Sequence, residues 1–192
     1  MMKKLPLLLL VFLMTLSCGD TNVAENTSQE ISEDTTVYGV KNFKFPPLNS
    51  QASQLIDNWS IFREFNTEAT SLKNIRLEPL KIKAERLLAH TDSLSKNIPD
   101  TLFSNAINSR ITIVKTRVNL LKQEANRGKT RPQEIEKQLE ETQKAIATFI
   151  IQINEKVLKD KIDFQRKDDE KKELEKQKRA RDSIFQLELE DQ

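Results

Sequence analysis

The chain has 192 residues, 31 of them Lys or Arg and 29 Asp or Glu, with one Cys, one His, one Trp and three Gly. One Cys excludes an internal disulfide framework and a multi-cysteine zinc site, and one His argues against a histidine-built metal or catalytic centre. Three Gly leave no room for a Gly-rich phosphate loop or a turn-rich β-sandwich, and a charged fraction of 31% points to a helical composition.

The charge is not evenly spread. Lys3 and Lys4 precede a run from Leu5 to Leu16 that is apolar apart from Pro6 and Thr15, and no acid occurs before Asp20. A basic start, a short apolar stretch and small residues after it make a secretory signal peptide over residues 1–17. The run is too short for a transmembrane helix, which needs about 20 residues. Without it, 29 bases face 29 acids. The net charge of +2 therefore belongs to export and not to an acidic partner.

The sole cysteine follows that run directly, in Thr15-Leu16-Ser17-Cys18-Gly19-Asp20. This resembles a bacterial lipoprotein signal: Ser17 and Gly19 fit the pattern, while Thr15 stands where an aliphatic residue is usual. The resemblance covers only about the first 20 residues. It implies that Cys18 becomes a lipidated N-terminus on a bacterial membrane, with the outer membrane, facing the periplasm or the cell surface, favoured over the inner. Thr15-Leu16-Ser17 is also small-x-small, which ordinary signal peptidase accepts, so plain secretion is the alternative.

Residues 18–49 read as a lipid-anchored flexible linker, rich in polar residues and closed by Pro46-Pro47. Its part after the cysteine would span roughly 30 Å root-mean-square. Val37, Tyr38, Val40, Phe43 and Phe45 could dock on a folded body as an extended strap, but no partner strand is visible in the sequence.

From Ser50, taken as an N-cap, helical spacing dominates and an all-α antiparallel bundle is expected over residues 50–164. Leu55, Trp59, Phe62, Ala69 and Leu72 form the first stripe, widened by Ile56 and Phe65. Pro79 disfavours helix at Glu78 and marks a kink or turn at about Asn74–Glu78. Leu80, Ala84, Leu87, Leu88, Thr91, Leu94 and Ile98 form the second stripe. Pro99 then suits the first position of the next helix. Ile107, Ile111, Val114, Val118, Leu121 and Ala125 follow at 4-3-4-3-4 spacing. Asn126-Arg127-Gly128 ends that helix, Pro132 starts the fourth, and Ile135, Leu139, Thr142, Ile146, Phe149, Ile150, Ile153 and Val157 form its stripe.

A fold-back at Asn74–Glu78 gives four segments of comparable length, the condition for a four-helix bundle. A three-helix bundle with a kinked first helix is the alternative. Residues 165–192 read as a charged helical extension, ending in a small apolar patch of Ile184, Phe185, Leu187 and Leu189. It lacks coiled-coil heptads. Four antiparallel passes would bring linker and extension out at the same end.

No zinc, haem, nucleotide or dinucleotide motif is present. His90 has no Glu three residues before it, so the di-iron pair is missing. No catalytic, cofactor-binding or metal residue is nominated, no cofactor is expected, and an enzyme is not. From Lys159 to Arg181 ten bases face seven acids, too balanced for a nucleic-acid partner. Asp precedes Ser or Thr, with Thr or an aliphatic residue next, at Thr35, Ser93, Thr101 and Ser183. This resembles an O-glycosylation sequon used by some Gram-negative bacteria on exported proteins. Helix caps and turns favour the same residues without modification. Asn58-Trp59-Ser60 is a formal N-glycosylation triplet, discounted because Trp59 should be core.

The expected role is a non-enzymatic, lipid-anchored envelope scaffold or partner-binding module, with the membrane and an envelope protein as partners. A ligand- or stress-sensing periplasmic bundle, and a periplasmic inhibitor or immunity-type protein, are the alternatives.

Overall fold

The computed structural model describes residues 35–190. In order come β1 (Val37–Tyr38), α1 (Ser50–Asp57), α2 (Ser60–Thr70), β2 (Ile75–Arg76), α3 (Leu77–Lys96), α4 (Asn105–Ala125) and α5 (Pro132–Glu190). It is an all-α bundle with one two-stranded antiparallel bridge. The signal peptide and Cys18 lie outside the described residues.

Ion pairs between helices fix the directions. Glu64 meets His90 and Glu68 meets Lys83, so α2 and α3 are antiparallel. Asp92–Lys115 and Glu85–Lys122 do the same for α3 and α4, and Arg117–Glu141 with Arg131–Glu124 for α4 and α5. Most of these pairs are exposed and report geometry more than stability, since such pairs contribute about 0–1 kcal/mol; the buried Glu124 is the exception. The energy lies in the stripes. Every residue of the α4 and α5 stripes expected from the sequence is buried. Trp59, Phe62, Phe65 and Phe149 form an aromatic cluster with ring centroids 5.5–6.2 Å apart. Such pairs add roughly 0.5–1.5 kcal/mol each beyond burial.

The chain folds back before Leu77, which gives four antiparallel passes rather than three. Several local expectations are corrected. The first pass is two helices, broken at Trp59, which leaves helical geometry just after the α1 C-cap Asn58. Asn49, not Ser50, caps α1, accepting from the Ala52 N–H at 2.8 Å. Glu78 is helical and Pro79 sits in the first turn of α3, where its missing N–H has no intrahelical partner to lose. Pro99 opens a turn, accepting from the Leu102 N–H at 2.8 Å, and α4 starts only after Ser104, whose side chain caps Ile107 N–H. Gly128 is not left-handed: α4 ends on Asn126 without that device.

The strap has a partner strand after all. Val37 stands opposite Arg76 and Tyr38 opposite Ile75. Short strands of two residues carry no periodicity, so the pairing was invisible in sequence. The bridge is closed by two left-handed residues, Gly39 (φ 80°) and Asn74 (φ 48°), with Asn74 N–H donating to the Gly39 carbonyl at 3.1 Å. Asn tolerates this region better than most residues.

The strap also overturns the expectation about the ends. It runs from Gly39, bonded to Glu136, to Asn49, bonded to Asn154, parallel to α5. It is a fifth pass that precedes the four helical passes. The described chain therefore starts at the end holding the α2–α3 and α4–α5 turns. The extension leaves from the opposite end, beside the α3–α4 turn. Core burial stops at Val157; Phe164, one heptad further along the same face, is 73% exposed. From there α5 continues without interruption to Glu190, a further length of about 50 Å at helical rise.

A Cβ at Gly39 would meet Leu139 Cδ2 at 3.0 Å and the Leu72 carbonyl at 3.2 Å. Gly39→Ala should therefore cost about 2 kcal/mol or more, from left-handed backbone plus overpacking. Urea unfolding measures this; unchanged stability would refute the tight seat of the strap.

Candidate functional site

α5 carries a second row of side chains beside its apolar stripe. Glu136, Gln143, Ile150 and Asn154 are spaced seven, seven and four, so they lie on one side of the helix. Three of them are polar and each serves backbone that has no ladder of its own. Glu136 Oε2 accepts from Gly39 N–H at 2.9 Å. Buried Gln143 donates to the Leu72 carbonyl at 2.7 Å, just after α2. Asn154 uses both ends of its amide, accepting from Asn49 N–H and donating to the Pro47 carbonyl, each at 2.9 Å.

Between these rivets the strap arches over a cleft of about 310 Å³. Phe43, Phe45, Pro46 and Leu48 from the strap face Phe62 and Ile150 from the helices. Phe43 and Phe45 meet edge to face at 5.0 Å. Lys44, Lys73, Asn66 and Thr70 supply the polar lining. That lining contains no carboxylate, thiol or imidazole, so it offers apolar surface and positive charge but no acid–base pair.

His90 lies in a shallow depression between α2 and α3, with Nδ1 3.7 Å from Glu64 and the Lys83–Glu68 pair nearby. Among the described residues no group of three His, Cys, Asp or Glu side chains could hold a metal ion. No described helix is long and apolar enough to cross a membrane.

The sequence-nominated residues are not brought together. Cys18 is outside the described residues. Thr35 is exposed just before β1, Thr101 is exposed in the α3–α4 turn at the other end, and Ser183 is exposed on the extension. Ser93 is half-buried on α3, its hydroxyl donating to the Ala89 carbonyl at 3.1 Å. Trp59 is buried, as the reading of its triplet required.

One charged cluster was missed. Glu124, 5% exposed, accepts from Arg127 Nε and Arg131 Nε, both at 2.7 Å, and from Arg131 Nη2. It ties the α4–α5 turn together. The Arg131 hydrogen bonds hold its carboxyl below the ordinary value of 4.5, against opposing desolvation and with help from Arg127. A lowered folded pKa stabilises above the ordinary value, and this is lost as pH falls through the lowered one. Glu124→Gln should therefore lower Tm at neutral pH, by a margin that shrinks below about pH 4.5; a pH-independent margin would contradict the clamp.

Comparison with protein-family models, curated proteins and solved structures found no match to this chain.

The strap makes its own prediction. Asn154→Ala removes two hydrogen bonds at a solvent-accessible site, a cost of about 1 kcal/mol. Trypsin should then cut after Lys41 or Lys44 several-fold faster, with helical content unchanged. Equal cleavage rates would show that Asn154 does not hold the strap.

Proposed function

We propose that this protein is a non-enzymatic, lipid-anchored component of a bacterial cell envelope, exported and held by Cys18. Its bundle serves as a scaffold or partner-binding module. The observation that carries this reading is the sole cysteine set directly after an apolar run led by Lys3 and Lys4. The architecture fits it. α5 continues for about 50 Å beyond the core, leaving from the end opposite the strap's start. That helix is held in part by its own pairs, such as Lys172–Asp168 at 2.6 Å and Arg166–Asp163 at 3.5 Å. Each such pair contributes a few tenths of a kcal/mol. Ile184, Phe185 and Leu189 are exposed near its tip and are apolar enough to anchor an envelope protein. The balanced charge of the extension gives no reason to expect nucleic acid.

A ligand-sensing role is the second reading, favoured by the aromatic cleft beneath the strap. Use of the Asp-Ser/Thr sequons would show in the intact mass of the exported protein.

The test is fractionation of cells expressing wild type and Cys18→Ala. Wild type should stay with membranes through a high-salt wash and leave only with detergent. Cys18→Ala should be released by the wash. Retention of Cys18→Ala after high salt would refute the lipid anchor.

A further inference from the structure

We infer that the cleft beneath the strap binds a small apolar molecule with a single anionic head, of the chemical class of a medium-chain carboxylate. This rests on the ligand-sensing reading and names the ligand class of that same site. Two helices and the strap wall the cleft. Phe62, Asn66 and Thr70 form one row of α2, each four residues from the next. Phe62 and Ile150 of α5 are buried and make the floor. The half-buried pair Phe43 and Phe45 makes the roof. The volume of about 310 Å³, at roughly 30 Å³ for each water-sized group, admits a body of about ten carbon atoms.

The lining selects the charge of the head. Lys44 and Lys73 line the cleft and are both exposed, which sets their ammonium groups at its rim. The strap from Thr35 to Leu48 and the α2–α3 connection from Ser71 to Arg76 contain no acid. Asn66 and Thr70 add an amide and a hydroxyl that can donate to the same head. Asp20, Glu25, Glu30, Glu33 and Asp34 precede Thr35, so the bases here do not amount to a net positive surface. The selection comes instead from charge and apolar surface in one hollow. A carboxylate head accepts charge-assisted hydrogen bonds there while its tail leaves water. Aromatic walls can also hold a quaternary ammonium, but two lysines in the lining repel one.

The roof is able to yield. Glu136 and Asn154 hold the strap at Gly39, Pro47 and Asn49. Among the described residues, the backbone from Val40 to Pro46 makes one hydrogen bond, from the Phe43 N–H to the Val40 carbonyl at 3.1 Å. That bond lies within the strap. The arch over the cleft can therefore lift to admit a ligand without breaking a backbone hydrogen bond to the bundle. Phe62, on the floor, stacks on Trp59 at 5.5 Å, so the sole tryptophan reports on occupancy.

The experiment uses the chain from Gly19 onward, which contains every described residue and all five of those acids. Decanoate and 1-decanol, alike in chain length and different in head charge, are titrated by calorimetry and by Trp59 fluorescence. Decanoate should bind once per chain, about tenfold tighter than decanol. Lys44→Gln with Lys73→Gln should bring decanoate down to the affinity of decanol. Lys41→Gln with Lys129→Gln removes the same charge outside the lining and should keep the preference. Asn66→Phe, which fills the cleft from α2, should weaken both ligands several-fold with circular dichroism unchanged. Equal affinity for decanoate and decanol, or a preference lost with the Lys41 and Lys129 variant, would overturn the anionic head while leaving a ligand-binding cleft. Binding indifferent to Asn66→Phe would put the ligand elsewhere and overturn the site. Binding of neither compound would overturn both this inference and the ligand-sensing reading.

Discussion

α5 presents two adjacent rows of side chains, and the rest of the bundle is arranged to cover both. The apolar row from Ile135 to Val157 is buried by α4 and the first pass. From the neighbouring row, Glu136, Gln143 and Asn154 bind backbone groups of the strap and of the turn after α2. Backbone donors and acceptors must find partners wherever they are buried. The strap from Gly39 to Asn49 has few such partners within itself. The long helix supplies them, and so dictates where the strap lies and at which end it begins.

The helical core was legible because it obeys one period. The stripes of α4 and α5 could be read residue by residue, and so could the fold-back before Leu77. What failed to show were features without a period. The bridge between Val37–Tyr38 and Ile75–Arg76 is too short to alternate. The break at Asn58–Trp59 leaves the apolar stripe intact, because Ile56, Trp59 and Phe62 keep facing the core on either side of it. Pro79 and Pro99 signalled interruptions correctly but not their form, since proline is compatible with a first helical turn and with a β-turn alike. The polar residues of that row on α5 were present in the sequence at spacings of seven and eleven. They were hidden because a glutamate, a glutamine and an asparagine on a charged helix look like solvent-facing residues.

Those unperiodic features carry the functional geometry. Four antiparallel helices alone would bring the preceding chain and the extension out together. One extended pass before them separates the two by the length of the bundle. A long charged helix then leaves from the end opposite the one where the described chain begins. The cleft under the strap is formed by the same arch and is lined by apolar side chains together with Lys44, Lys73, Asn66 and Thr70.

The separation of the two ends is the claim on which this account turns, and a distance tests it. Spin labels placed at Val40 and Gln165, both exposed, would be measured by pulsed dipolar spectroscopy in the intact protein. With the strap parallel to α5 and Val40 near the level of Glu136, helical rise puts the labels about 45 Å apart. A distance near 15–20 Å would place the strap's start beside the extension and contradict the account.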